Sequence, residues 1–124
     1  MISKASQRTY QGHKYYSRFD CMVNTGISSI GMDVAGINWV KIITVSTNEW
    51  GTYSNIVTGQ QDRNSTAYVP RMPQNLPEGT VTKSKNVLII DLTLMFGAGK
   101  EPSTTEEFEA LCIRNGIDFT QPQP

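Results

Sequence analysis

The longest apolar run in the chain spans residues 87–94, where six of eight positions are valine, leucine or isoleucine. Only Asp91 and Thr93 interrupt it. A run of this length and branching is typical of a strand buried on both faces. The sequence then changes to Gly-Ala-Gly at residues 97–99 and to proline at position 102, which ends regular structure. We therefore predict that this strand closes the sheet and that the shorter upstream strands pack on it.

Apolar and polar residues alternate with a period of two upstream of this run, which indicates strands with one buried face. In residues 13–24, Tyr15, Phe19, Cys21 and Val23 share the parity expected to face the core. Arg18 and Asp20 share the other parity, which we expect to face solvent. Similar runs predict further strands, with Pro70 marking an edge strand and residues 73–84 a long loop. These strands are expected over residues 2–10, 30–34, 39–45, 50–58 and 65–72.

One clear helix is predicted over about residues 104–115. Two capping-box registers are open at its start, Ser103 with Glu106 or Thr104 with Glu107. An apolar stripe at helical spacing follows, and an Asn-Gly pair at 115–116 ends the pattern. This stripe consists of Phe108, Leu111 and Cys112.

The spacing of short strands and turns favours an all-β fold, an antiparallel β-sandwich similar to a jelly roll, with this one short C-terminal α-helix. A chain of 124 residues fits one domain. We assign residues 1–119 to that domain and residues 120–124 to a Pro/Gln tail.

Charge and composition exclude several classes of protein. The 11 basic residues equal the 11 acidic ones, which argues against a dedicated nucleic-acid binder. No apolar run approaches the roughly 18 residues of a membrane helix, so we expect no membrane insertion. Cys21 and Cys112 lie among apolar neighbours and are interpreted as buried thiols, although a disulfide stays open because their separation in space is unknown.

Catalytic and cofactor chemistry finds little support. The Gly-Ala-Gly-Lys at residues 97–100 does not match a phosphate loop, because Leu94 and Glu101 stand where glycine and a hydroxyl residue belong. His13 is the one histidine, so a single chain offers no histidine triad or His-rich zinc site. Nothing fixes the distance between any carboxylate pair, which is what decides a glycosidase mechanism. We expect no catalytic residues, no metal, no cofactor and no enzymatic activity.

The segment 91–111, Asp-Leu-Thr-Leu-Met-Phe-Gly-Ala-Gly-Lys-Glu-Pro-Ser-Thr-Thr-Glu-Glu-Phe-Glu-Ala-Leu, resembles the terminal signature of a β-sandwich module. That module recurs in tail, baseplate and receptor-binding proteins of bacteriophages and prophages, and it is similar to carbohydrate-binding jelly rolls. Weaker similarity covers residues 12–16 and 48–50. The resemblance implies a virion protein, made in the bacterial cytoplasm, that binds host cell-surface polysaccharide or docks on other virion proteins.

An alternative is a structural capsid-decoration or head-fibre protein that acts by self-association. In the similar modules more sandwich sequence precedes the strand that begins at His13, whereas here only 12 residues do. Either the sandwich is abbreviated or a partner supplies the missing edge. We therefore expect a homo-oligomer, with a trimer as one form.

Aromatic residues are the best candidates for a saccharide site. Tryptophan and tyrosine offer flat apolar surfaces to sugar rings, and neighbouring polar side chains bind the hydroxyls. Tyr16 shares its strand parity with Arg18 and Asp20, a row suited to a glycan if that face is solvated. The alternatives stay open that Trp50 is a core anchor and Tyr16 an ordinary surface aromatic. The candidate carbohydrate-binding residues are Tyr16, Arg18, Asp20, Trp39, Trp50 and Tyr53, with Tyr68 as a further aromatic.

Overall fold

The computed structural model describes residues 7–34, 36–65 and 69–117. The fold is all-β and antiparallel, as predicted, with two helices at its C-terminal side. The strands are β1 (Gln7–Thr9), β2 (Lys14–Val23), β3 (Ile27–Val34), β4 (Ile37–Val45), β5 (Gly51–Thr58), β6 (Arg63–Ser65), β7 (Val69–Arg71) and β8 (Thr82–Asp91), and the helices are α1 (Leu92–Phe96) and α2 (Thr105–Arg114).

Two three-stranded sheets form the body of the sandwich. The β2 sheet has the order β5-β2-β8, and the β3 sheet has the order β4-β3-β7. All pairs within them are antiparallel. A two-stranded ribbon of β1 and β6 lies beside them. Of the predicted strand over 65–72, the structure describes the end of β6 at Ser65 and the strand β7, while residues 66–68 lie outside the described part. The placement of Pro70 on an edge strand is confirmed.

The main core lies between the two sheets. The parity predicted to face inward on β2 is confirmed, because its apolar members are completely buried. They meet apolar residues of β3 and β4, and a register irregularity between Ile27 and Ser29 changes the inward parity along β3. The core residues are Tyr15, Phe19, Cys21, Val23, Ile27, Ile30, Met32, Val34, Ile37, Trp39, Val45 and Ile89.

A second core lies on the outer face of the β2 sheet. Phe108 and Cys112 of α2 pack there against Tyr16 and Leu88. Strand β8 therefore buries Ile89 on its inner side and Leu88 on its outer side, as its apolar sequence predicts. Both cysteines are free and buried, in different cores, which confirms their interpretation as buried thiols.

The expectation that the outer face of β2 is solvated was wrong. Arg18 is only 4% exposed and Asp20 only 2%. Strand β2 lies between two neighbours, and helix α2 adds a layer over part of its outer face. Alternation along a strand reports polarity, but it does not report what packs above the strand.

The long apolar strand also ends earlier than expected, at Asp91. The Asp91 carboxylate accepts a hydrogen bond from the Leu94 amide at 3.0 Å and caps a second, short helix, α1. Residues 92–94 are therefore helical, and Leu94 is exposed. Gly97 lies just beyond this helix with φ of 99°, a backbone conformation that glycine adopts readily because it has no side chain.

Helix α2 agrees with its predicted bounds to one residue at each end. Of the two capping registers, the one that starts at Thr104 is formed, because its hydroxyl accepts from the Glu107 amide at 3.1 Å. The Glu107 carboxylate accepts from the amide of Ser103, also at 3.1 Å. Residues 1–6, part of the predicted strand 2–10, and residues 118–124, with the predicted tail, lie outside the described part.

Candidate functional site

Helix α2 covers one half of the outer face of the β2 sheet and leaves the other half open. Its covered half carries α2 and consists of Tyr16, Arg18, Ser54 and Leu88, and Glu109 of α2 reaches it from above. Its open half lies at the other end of the strands, where Lys83 is paired with Met22 and Lys85 with Asp20. We define the open half as Met22, Asn48, Trp50, Lys83 and Lys85.

Tyr16 is the centre of the covered half. Its hydroxyl donates a 2.6 Å hydrogen bond to Glu109 Oε2, and its ring lies 4.7 Å from that of Phe108. Ser54 Oγ lies 3.4 Å from the same carboxylate oxygen. Burial, and then the Glu109 carboxylate, raise the pKa of Tyr16 well above its ordinary value. Tyr16 is completely buried, so its ring is not a surface for stacking a sugar.

Arg18 and Asp20 are buried in different ways. Asp20 has neutral partners, because it accepts from Thr52 Oγ1 at 2.7 Å and from Asn86 Nδ2 at 2.8 Å. Asn86 lies at the irregularity in the β2–β8 register and has a positive φ of 57°. By contrast, Arg18 Nε and Nη2 have no hydrogen-bond partner among the described residues. The predicted Tyr-Arg-Asp row exists, but it lies inside the protein.

Trp39 and Tyr53 belong to the inner side of the sandwich. Trp39 is 5% exposed, and its indole N–H donates to Ser17 Oγ at 3.0 Å. Tyr53 is half-buried, and its ring packs 6.0 Å from that of Phe19. Both side chains pack in or against the main core. Tyr68 lies outside the described residues.

Trp50 is the candidate that reaches the surface, with 38% of the residue exposed. Lys85 Nζ lies 4.2 Å from the centre of its ring, within the range of a cation–π contact. One face of the indole is therefore held against an ammonium group, while part of the ring remains open. This exposure does not fit the alternative interpretation of Trp50 as a core anchor.

A pocket of about 240 Å³ opens beside the open half. Three segments build it: the turn after β2, the connection before β5, and the residues that lead into β8. Asn24 joins two of these segments, since it accepts from the Val81 amide at 2.8 Å and donates to the Gly79 carbonyl at 3.1 Å. The lining residues are Met22, Val23, Asn24, Asn48, Val81 and Lys83.

Sequence reasoning missed the polar members of this half. Lys83 and Lys85 stand two residues apart, and that spacing places them on one face of a strand. Asn48 stands two residues before Trp50, inside the segment 48–50 that carries part of the resemblance. The prediction of a long loop over 73–84 placed Lys83 outside any strand. In the structure β8 begins at Thr82, so Lys83 and Lys85 both lie on this strand.

His13 and Asp91 form a separate polar cluster at the end of β8. His13 Nδ1 lies 2.7 Å from Asp91 Oδ2, and the other oxygen of this carboxylate caps α1. Thr93 Oγ1 accepts from the Lys14 amide at 2.8 Å and donates to Glu101 at 2.7 Å. The cluster holds the start of β2 to the end of β8 and the first turn of α1.

The described ranges hold no group of three or more histidine, cysteine or acidic side chains that could bind a metal ion. In the same part of the chain no helix is long and apolar enough to cross a membrane. Comparison of the sequence and fold with protein-family models, with curated proteins and with solved structures found no match.

Proposed function

We propose that this protein is a non-enzymatic bacteriophage virion module that binds host cell-surface saccharide, carried on a tail or receptor-binding assembly. One observation carries the saccharide part of the proposal: the exposed Trp50 ring lies on the same half of the sheet as the pocket of about 240 Å³, whose lining includes the polar side chains of Asn48 and Lys83.

This arrangement has the chemistry that sugar recognition requires. An indole offers apolar surface to the C–H faces of a sugar ring, and amide and ammonium groups bind hydroxyls or charged substituents. The strand register and the Asn24 hydrogen bonds fix the pocket walls before a ligand arrives. A site held in this way loses less conformational entropy on binding.

The virion part of the proposal is supported by the resemblance over residues 91–111. Residues of that segment have structural roles here: Asp91 caps α1, Thr104 caps α2, and Phe108 packs on Tyr16. They stabilise the covered half of the sheet. The signature is thus consistent with a β-sandwich module of virion proteins. The residues that we propose to bind the ligand belong to the open half.

A binding assay with purified bacterial cell-wall polysaccharide tests this proposal. We expect the polysaccharide to retain the protein, and Trp50→Ala to weaken retention by about tenfold, equivalent to about 1.4 kcal/mol. Leu94→Ser is the matched control, because Leu94 is also an exposed apolar residue but lies on α1. Absence of retention, or equal loss in both variants, would contradict the proposal.

A second candidate function is a capsid-decoration or head-fibre role by self-association. The observation that favours it is strand β4, an edge of the β3 sheet on which Ile42 is 87% exposed and Val40 and Ile43 are also exposed. Open sheet edges with apolar side chains pair readily with other strands. Sedimentation of wild type and Ile42→Lys separates the two functions: self-association lost in the variant, with cell-wall retention absent in wild type, would favour the structural role.

A further inference from the structure

Two lysines dominate the charge of the open half. Lys83 and Lys85 are paired with Met22 and Asp20 of β2, so both belong to the outer face of the sheet. Their Cα atoms are about 6.6 Å apart along an extended strand. Neither forms an ion pair with any carboxylate in the described ranges, where the one ion pair joins His13 and Asp91.

The nearby carboxylates do not neutralise these ammonium groups by direct contact. Asp20 lies opposite Lys85, but it is almost completely buried and bonded to Thr52 and Asn86. Glu49 is exposed in the turn before Trp50 and pairs with neither lysine. The open half therefore presents two cations, one beside the pocket and one on the indole.

The size and lining of the pocket restrict the ligand further. At about 240 Å³ it is smaller than the usual site for a drug-sized ligand and suits one sugar ring or its substituent. Asn48 adds an amide that is exposed beside Lys83. An ammonium group forms its strongest hydrogen bonds with an ionised oxygen acid, at about twice the strength of a neutral pair.

We propose that the open half binds an acidic saccharide, one whose sugar units carry a carboxylate. This inference rests on the proposed function and names its ligand class. Lys83 and Lys85 bind the carboxylate, Asn48 bonds a neighbouring hydroxyl, and the open part of the Trp50 ring contacts the sugar. The ammonium–carboxylate contacts weaken as salt is added, since they lie at the surface.

Calorimetric titration with matched saccharides tests the inference. The probes are oligomers of glucuronate, galacturonate and mannuronate, each beside its methyl ester, which has the same ring without the charge. We expect at least one acid to bind about tenfold or more tightly than its ester. The double variant Lys83→Gln/Lys85→Gln should lose that preference, whereas Lys100→Gln, an exposed lysine beyond α1, should keep it.

Further outcomes distinguish failure of the acidic-ligand inference from failure of the proposed function. Equal affinity for acid and ester, or binding of the esters alone, overturns the acidic-ligand inference and leaves saccharide binding in place. Poly-glutamate that competes as well as the uronate oligomer overturns it too, because the surface would then recognise charge without a sugar. If no probe binds, the inference is overturned, and the cell-wall retention assay with wild type decides whether the proposed function falls with it.

Discussion

The Tyr16 hydroxyl and the Glu109 carboxylate are joined by a 2.6 Å hydrogen bond across 93 positions of the chain. It links the central strand β2 to helix α2. Since Phe108 packs on the same tyrosine ring, polar and apolar contacts fix the helix at one place on the sheet. This position covers one half of the outer face and leaves the half with Trp50 accessible.

Replacing Tyr16 with phenylalanine keeps the ring and removes this bond. We expect the free energy of unfolding to fall by about 1–3 kcal/mol, because among the described residues Glu109 is left with only the 3.4 Å contact to Ser54. Urea unfolding measures the change, and Ser54→Ala is the control with the smaller expected loss. A stability unchanged within error would show that the bond contributes nothing.

Arg18 presents the opposite case, a buried cation with two nitrogens that have no hydrogen-bond partner in the described part of the chain. Replacing it with methionine keeps an unbranched chain and removes the cost of burying a charge. We expect stability to stay equal or to rise by up to about 4 kcal/mol. Arg18→Lys, which keeps the charge, should show no gain. If Arg18→Met loses more than about 2 kcal/mol, the guanidinium has a stabilising role that its contacts do not reveal.

Stability should fall in alkaline solution because of the two buried tyrosines. Burial raises the pKa of Tyr15 from 10.0 to about 12, and burial also raises that of Tyr16. Below pH 10 both states keep these protons; above it the unfolded chain releases them first, so folding becomes less favourable as the pH rises. For Tyr15 the loss spans pH 10 to about 12, and Tyr16 extends it further.

Urea midpoints measured across this range, with phenolate absorbance of the folded protein, check the prediction. Tyr15→Phe should have a smaller slope of stability against pH, whatever its stability at neutral pH. Stability that stays flat above pH 10 would contradict the burial of these hydroxyls.

The N-cap of α2 provides a local test of the C-terminal segment. Thr104→Ala removes the hydroxyl that accepts from the Glu107 amide, and we expect a loss of about 1 kcal/mol. Ser103→Ala should cost less, because its backbone amide still donates to Glu107. Equal losses in thermal unfolding would mean that the capping register is not the one assigned.

The inward parity of β2 and the bounds of α2 were predictable because each depends on local pattern. Tyr15 and Phe19 alternate with polar residues, and Thr104 with Glu107 has the spacing of a cap. These signals lie within a few residues of one another. The apolar character of β8 likewise indicated burial on both faces, which Leu88 and Ile89 confirm.

Features that depend on distant chain segments were not predictable in this way. Tyr16 is buried because α2, about 90 residues later, packs on its ring, and no local pattern carries that information. Helix α1 depends on Asp91 as its N-cap, whereas the apolar run on both sides of this residue predicts a continuous strand. The open half combines Met22, Trp50 and Lys83 from three segments, so only the fold brings them together.

The central claim is that ligand binds at the open half of the outer face. Amide and indole NMR spectra recorded during titration with cell-wall polysaccharide test it residue by residue. We expect shifts for the Trp50 indole and for Asn48, Lys83 and Lys85, with the buried Trp39 indole unchanged. Shifts confined to the β4 edge around Ile42, or to α2, would contradict it.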